Sequence, residues 1–185
     1  MNGAPRRVVL PNQMKTIVSL AVVLLLAGSV SPRAEEAPIP NKMIDYPGFL
    51  QNAEAVGKLR KQRRVTEEEF IRMAKEPGTI VFDARSDSKF AMFHIKGAKH
   101  LSLPDVTADE LTKVIPDKSS RVLIYCNNNF VNEPTALPAK AITASLNLYT
   151  FNTLYSYGYT NVFELGPLID VKKSALTFEG SLQAK

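Results

Sequence analysis

The chain has a single cysteine, Cys126, which lies between the apolar run 122–125 and the asparagine-rich segment 127–130. A lone thiol cannot form a disulfide within its own chain, and as the thiolate it is intrinsically a strong nucleophile. A nucleophile of this kind attacks electrophilic carbon, phosphorus or sulfur and carries the transferred group as a covalent intermediate. The sequence therefore predicts Cys126 as the reacting residue of any catalysis.

Two histidines, His94 and His100, are the other residues with obvious catalytic or metal-binding chemistry. With one cysteine and no further histidine, the chain does not have the ligand set of a zinc site, so we expect no metal and no other cofactor. A Cys–His dyad, in which one histidine serves Cys126 as general base, is an open alternative.

The residues after Cys126 offer polar groups for an anion. Asn127, Asn128 and Asn129 tolerate left-handed backbone, and their carboxamides can donate hydrogen bonds, although turn formation is the simpler interpretation. Lys140, at the start of a predicted helix, would add a positive charge or be an ordinary exposed lysine.

Two further charged residues, Asp83 and Arg85, end a predicted strand on the same side of the sheet as Cys126. They would either bond the surrounding loops together or adjust the electrostatic field at the thiol. The full set of candidate substrate-binding residues is Asn127, Asn128, Asn129, Phe130, Lys140, Arg85 and Asp83.

Short apolar runs alternate with segments of helical periodicity, which is the pattern of an α/β fold with a mainly parallel sheet. One helix begins with a capping box at Thr66 and Glu69 and should end near Glu76, before Pro77 and Gly78. In such sheets ligands collect at the carboxyl ends of the strands, where Cys126 lies. The predicted helices span 47–60, 67–76, 108–114 and 139–157, and the predicted strands span 79–82, 98–103, 121–125 and 161–164.

The N-terminal segment has the composition of a secretory signal. It has a charged residue at Lys15, an apolar run over 16–27 that is too short to span a bilayer, and small residues before position 34. Without residues 1–34 the chain has 19 basic and 18 acidic residues, which removes the main argument for nucleic-acid binding. We therefore expect an exported, periplasmic or secreted monomer without a membrane span after processing.

The order of several motifs resembles the rhodanese-like family. The similar segments are the Asp-x-Arg strand end at 81–86, the His-Ile-x-Gly-Ala run ending at 98, the strand 123–126 that leads into the active-site loop, and Gly-Tyr-x-Asn-Val ending at 162. The resemblance implies a three-layer fold with a mainly parallel central sheet flanked by helices. It divides the chain into a signal at 1–34, a lead-in at 35–45, a helical extension at 46–64, the rhodanese-like domain at 65–172 and a tail at 173–185.

The resemblance also implies sulfur transfer. The Cys126 thiolate would take sulfane sulfur from a small donor as a persulfide and pass it to an acceptor such as a protein thiol, and His94 would belong to the scaffold. The family's short loop runs from its cysteine through a glycine to an arginine, whereas counting back from Gly158 places that cysteine near position 141. Two alternatives follow from this difference: a non-catalytic binding module that uses the 127–140 loop, and a thiol redox sensor.

Overall fold

The structure is a computed structural model that describes residue 39 and residues 41–182. The predicted signal segment, 1–34, lies outside the described residues. In the part that is described, no helix is both long and apolar enough to cross a membrane. Residues 41–182 belong to one compact unit.

The centre of this unit is a five-stranded sheet in which every neighbouring pair is parallel, as predicted. The strand order β1-β7-β5-β2-β4 places β5 in the middle. Because all strands run the same way, the residues after β2, β5 and β7 meet at one edge. The strands are β1 (Arg64–Val65), β2 (Ile80–Asp83), β4 (Lys99–His100), β5 (Val122–Tyr125) and β7 (Val162–Leu165).

Helices cover both faces of the sheet and complete three layers. The described α-helices are α1 (Tyr46–Arg63), α2 (Glu67–Ala74), α3 (Asp87–Met92), α4 (Ala108–Val114) and α5 (Leu146–Ser156). One hydrophobic cluster includes Phe70 of α2, and the opposite cluster includes Val56 of α1, Leu111 of α4 and Phe151 of α5.

The central position of β5 in the sheet explains why its sequence is apolar at every residue, without alternation. Leu123 and Tyr125 pack into one cluster, while Val122 and Ile124 pack into the other. All four side chains are buried, as expected for a parallel strand covered on both faces. This burial fixes the position at which the chain leaves the sheet, immediately before Cys126.

The predicted start of α2 is confirmed, because the Thr66 hydroxyl accepts a hydrogen bond from the Glu69 amide at 3.2 Å. The predicted helix over 139–157 is wrong at its start, since α5 begins at Leu146. The preceding residues form a short 3₁₀ turn at Ile142–Ala144.

The predicted helical extension and C-terminal tail both belong to the compact unit. Helix α1 packs against α5 and β7 through Val56. In the tail, Phe178 and Glu179 form a strand, β9, that pairs with β3. The short strands that the sequence did not predict are β1 in the central sheet and, outside it, β3 (His94–Ile95), β6 (Phe130–Val131), β8 (Ile169–Asp170) and β9 (Phe178–Glu179).

Candidate functional site

Cys126 lies at the carboxyl edge of the sheet and lines a cleft of about 330 Å³. The cleft is formed by the end of α1, the loop after β5, the start of α5 and the residues after β7. It is lined by Arg60, Arg64, Cys126, Asn128, Asn129, Ile142, Ser145, Asn147, Leu148, Glu164, Gly166, Pro167 and Leu168.

The thiol itself is buried, since Cys126 is 1% exposed. Its Sγ lies 3.4 Å from the hydroxyl oxygen of Ser145, the residue that precedes α5. Asn147 and Leu148 in the first turn of α5 line the same cleft. The positive end of the helix macrodipole therefore lies at the thiol's cleft, where it favours negative charge.

Cys126 is held in place by Asn129 rather than by a histidine. The Cys126 amide donates to Asn129 Oδ1 at 2.9 Å, and Asn147 Nδ2 donates to the same oxygen at 3.0 Å. Asn129 Nδ2 donates to the carbonyl of Leu165 at 2.7 Å. The buried carboxamide of Asn129 thus connects Cys126, α5 and the end of β7.

The other two asparagines bond to the far end of the same loop. Asn127 Nδ2 donates to the Pro138 carbonyl at 2.9 Å, and Asn128 Nδ2 donates to the Lys140 carbonyl at 2.8 Å. Asn127–Asn129 form a 3₁₀ turn, which agrees with the simpler interpretation that these asparagines form a turn. The left-handed asparagine is Asn132, with φ of 70°. Contact of these amides with a substrate stays a prediction.

The structure does not bring every candidate residue to the thiol. Lys140 is exposed and lies before α5, where it lines a separate cavity of about 450 Å³ together with Arg85 and Asn127. Phe130 is 3% exposed and packs edge-on to the rings of Tyr125 and Phe178 in the core. Of the candidates, Asn128 and Asn129 line the cleft of Cys126.

Asp83 and Arg85 form a buried ion pair beside the site. Arg85 Nη2 lies 2.6 Å from Asp83 Oδ2, and Nε lies 3.0 Å from both carboxylate oxygens. Burial lowers the pKa of Arg85, but its hydrogen bonds and Coulomb attraction to Asp83 outweigh burial and raise that pKa overall. Arg85 therefore stays charged, and it also donates to the carbonyls of Phe93 and Ala136.

Tyr125 extends this ion pair into the central strand. Its hydroxyl donates to Asp83 Oδ2 and accepts from the Ile95 amide at 3.1 Å. Burial raises the pKa of Tyr125 well above 10, and the negative charge of Asp83 adds to the rise. The phenol therefore remains a neutral donor to Asp83.

The histidines hold the scaffold together. His94 Nδ1 lies 2.7 Å from the Phe90 carbonyl oxygen, and its Nε2 lies 3.2 Å from Glu179 Oε1. His100 Nε2 lies 2.8 Å from the Arg85 carbonyl oxygen. Neither lines the Cys126 cleft, so the structure gives no Cys–His dyad. Within the described residues, no group of three or more His, Cys, Asp or Glu side chains could hold a metal ion.

The cleft also contains charged residues that were not predicted to line it. Arg60, in the last turn of α1, is one of them. Its Nε and Nη2 lie 2.6 and 2.8 Å from the two oxygens of Glu164, whose side chain is 5% exposed. No local pattern in the sequence indicates this place for Arg64, because it lies opposite Glu164 only through the pairing of β1 with β7.

A match between the chain and the description of a known protein family identifies the fold. The description "Rhodanese-like domain" matches residues 66–166. The chain belongs to the rhodanese-like family. No curated protein matches the chain at a significant level.

Several solved structures are similar to the chain at low sequence identity. The Alr3790 protein from Anabaena sp. has a TM-score of 0.44 at 21% identity, covering 63% of this chain and 91% of that one. The BH2092 protein from Bacillus halodurans has a TM-score of 0.46 at 18% identity, covering 74% and 88%. A rhodanese with anions from E. coli has a TM-score of 0.37 at 21% identity, covering 56% and 99%.

This rhodanese-like domain departs from the family pattern at the active-site loop. Position 141, where the count back from Gly158 placed the family's cysteine, is an exposed alanine, Ala141, which lies before the 3₁₀ turn at Ile142–Ala144. Cys126 instead reaches the start of α5 from the strand end, through its contact with Ser145. The inserted segment closes over the core at Ala136 and Leu137, both buried, and these residues do not line the thiol's cleft.

The buried phenol of Tyr125, which donates to Asp83, makes the free energy of unfolding depend on pH in the alkaline range. Folded Tyr125 keeps its proton where tyrosine in the unfolded chain loses it, above about pH 10, so unfolding releases a proton and stability falls as pH rises. We expect Tyr125→Phe to reduce the loss of unfolding free energy between pH 10 and 11 by about 1 kcal/mol. Urea denaturation at the two pH values measures this loss.

Tyr149→Phe is the matched control for that measurement, because Tyr149 is 45% exposed. The control should lose as much stability between the two pH values as the unaltered protein. An equal loss in Tyr125→Phe would contradict the account of the buried phenol.

Proposed function

We propose that the protein is a sulfurtransferase that carries sulfane sulfur as a persulfide on Cys126. The observation that carries this proposal is the cleft at the carboxyl edge of a rhodanese-like sheet, which is lined by the only cysteine of the chain. The donor is a small sulfane-sulfur compound, and the acceptor is a thiophile such as a protein thiol. The mature chain acts as a monomer and uses neither nucleic acid nor a cofactor.

The first step is a nucleophilic displacement at sulfur. With thiosulfate as donor, the Cys126 thiolate attacks the outer sulfur, a new S–S bond forms, and sulfite leaves with the electron pair of the broken bond. In the second step an acceptor attacks the terminal sulfur and forms a bond to it, and the Cys126 thiolate leaves with the electron pair of the broken bond between Sγ and that sulfur. The protein is regenerated without any external oxidant or reductant.

The groups around Cys126 support charge stabilisation in both steps. The Ser145 hydroxyl, 3.4 Å from Sγ, can donate to the thiolate and to the persulfide. The first turn of α5 adds the positive end of its macrodipole. Asn129, in the first turn of the loop, fixes the Cys126 backbone by accepting a hydrogen bond from its amide.

Intact-mass measurement tests the proposal. After incubation with thiosulfate or inorganic polysulfide, the protein should gain about 32 Da, the mass of one sulfur atom, and lose it on treatment with cyanide. Cys126→Ser should show no gain. A protein that gains no sulfur from either donor, although its thiol is intact, would rule out sulfur transfer.

The burial of the thiol favours a second candidate, a non-catalytic binding module that uses the 127–140 loop. Cys126 is 1% exposed, which suits a core residue as well as a sheltered nucleophile. In this case the native protein should gain no sulfur, and its thiol should react with Ellman's reagent only after denaturation. A thiol redox sensor would instead give a mixed disulfide that depends on Cys126.

We also propose that the chain is exported and loses its signal segment, as its N-terminal composition indicates. Expression of the full chain in a bacterial host should yield a periplasmic or secreted protein whose mass corresponds to a start between about residues 29 and 35. A full-length chain found in the cytoplasm would contradict export.

A further inference from the structure

The cleft of Cys126 has a buried carboxylate whose charge is already neutralised. Glu164 lies on β7 with its side chain 5% exposed, and Arg60 forms two hydrogen bonds with it. Hydrogen bonding to Glu164 is the main cause that raises the pKa of Arg60, against the effect of burial. Both groups are charged, and together they form a neutral pair that attaches α1 to the sheet.

A second arginine brings an additional positive charge to the same place. Strand β1 pairs with β7 so that Arg64 lies opposite Glu164. Arg64 Nε is 3.8 Å from Glu164 Oε1, and its Nη2 donates to the Gly166 carbonyl at 2.7 Å. The side chain is 52% exposed. A guanidinium has five N–H donors, so Arg64 keeps donors for a ligand after this one bond.

The charges that line the cleft sum to +1, because Arg60, Arg64 and Glu164 are its charged residues. Since Glu164 already forms two short bonds with Arg60, the excess charge belongs to Arg64. This charge comes from residue 64, outside the segment 66–166 that matches the family. The inserted loop 127–140 contains no arginine.

We infer that Arg64 binds the anionic group of the sulfur donor in the Cys126 cleft, and that Arg60 and Glu164 are positioning residues that hold this end of α1 against β7. The inference rests on the proposed function, and it specifies the donor as an anion. The positive charge of the site thus comes from Arg64, which caps the end of α1 and precedes the segment 66–166 that matches the family. It does not come from the loop after Cys126. Arg64 acts on donor binding, and Cys126 performs the displacement.

A pair of alkylating reagents tests the charge at the thiol independently of sulfur transfer. Iodoacetate and iodoacetamide both alkylate a thiolate, but iodoacetate carries a negative charge. We expect Arg64→Gln to lower the ratio of the iodoacetate rate to the iodoacetamide rate by about three- to tenfold, the effect of one partly exposed charge. Arg64→Lys should recover much of the ratio, because it restores the charge.

Lys61→Gln is the matched control, since it removes one positive charge from an exposed residue of α1 that does not line the cleft. Its ratio should equal that of the unaltered protein. An unchanged ratio in Arg64→Gln would overturn the inference. Failure of both reagents to reach Cys126 in the native protein would overturn it too, because the cleft would not open onto the thiol.

Sulfur transfer provides the second measurement. With thiosulfate, Arg64→Gln should raise KM by about three- to tenfold and change kcat by less than about twofold.

The two proposals fail in different ways. If sulfur is transferred but neither KM nor the alkylation ratio depends on Arg64, the inference fails and the proposed function stands. If the ratio depends on Arg64 but no donor loads sulfur, the proposed function fails, and the inference that rests on it fails as well.

Discussion

The buried ion pair between Asp83 and Arg85 is the interaction on which the carboxyl edge of the sheet depends. Removing two charges from water is costly, and a buried pair is tolerated only when the remaining hydrogen-bonding groups also find partners. Here Asp83 accepts from Tyr125, and Arg85 donates to the carbonyls of Phe93 and Ala136. One pair thereby connects β2, β5, the end of α3 and the inserted loop.

This connection gives the long loop after Cys126 a defined path. The loop leaves β5, bonds back to itself through Asn127 and Asn128, and places Ala136 and Leu137 in the core. Its residues therefore pack against the sheet instead of covering the cleft. The thiol is left between α1, α5 and the end of β7, and the nearest hydroxyl to its sulfur belongs to Ser145. An insertion that would be expected to disrupt the site thus preserves a cleft beside it.

The sequence predicted the sheet because its strands are short, apolar and bounded by turns. The continuous apolar run at Val122, Leu123 and Ile124 gives a strong local signal, and the order of the motifs along the chain indicates the family. The start of α5 could not be predicted in the same way. Residues 139–145 have no strong helix breaker after Pro138, and the fold of that segment is decided by contacts with Asn128 and the sheet edge.

The site was only partly predictable for a related reason. Cys126 and its strand are adjacent in sequence, so their relation is local. Arg64 lies at the cleft because β1 pairs with β7, a contact between residues 100 positions apart, and Arg60 lies there through its bonds to Glu164. Lys140 shows the opposite error: it is close to Cys126 in the expected pattern, yet the loop carries it to another cavity. Strand pairing, and not closeness in the sequence, determines which charged residues line this cleft.

The central claim is that Cys126 accepts sulfur within its cleft. An anomalous-difference map at a wavelength sensitive to sulfur, from crystals exposed to thiosulfate, tests it most directly. The account predicts a new sulfur peak about 2.05 Å from Cys126 Sγ, on the side of Ser145 and Asn128. A map in which Cys126 keeps a single sulfur peak at full exposure to the donor would contradict it.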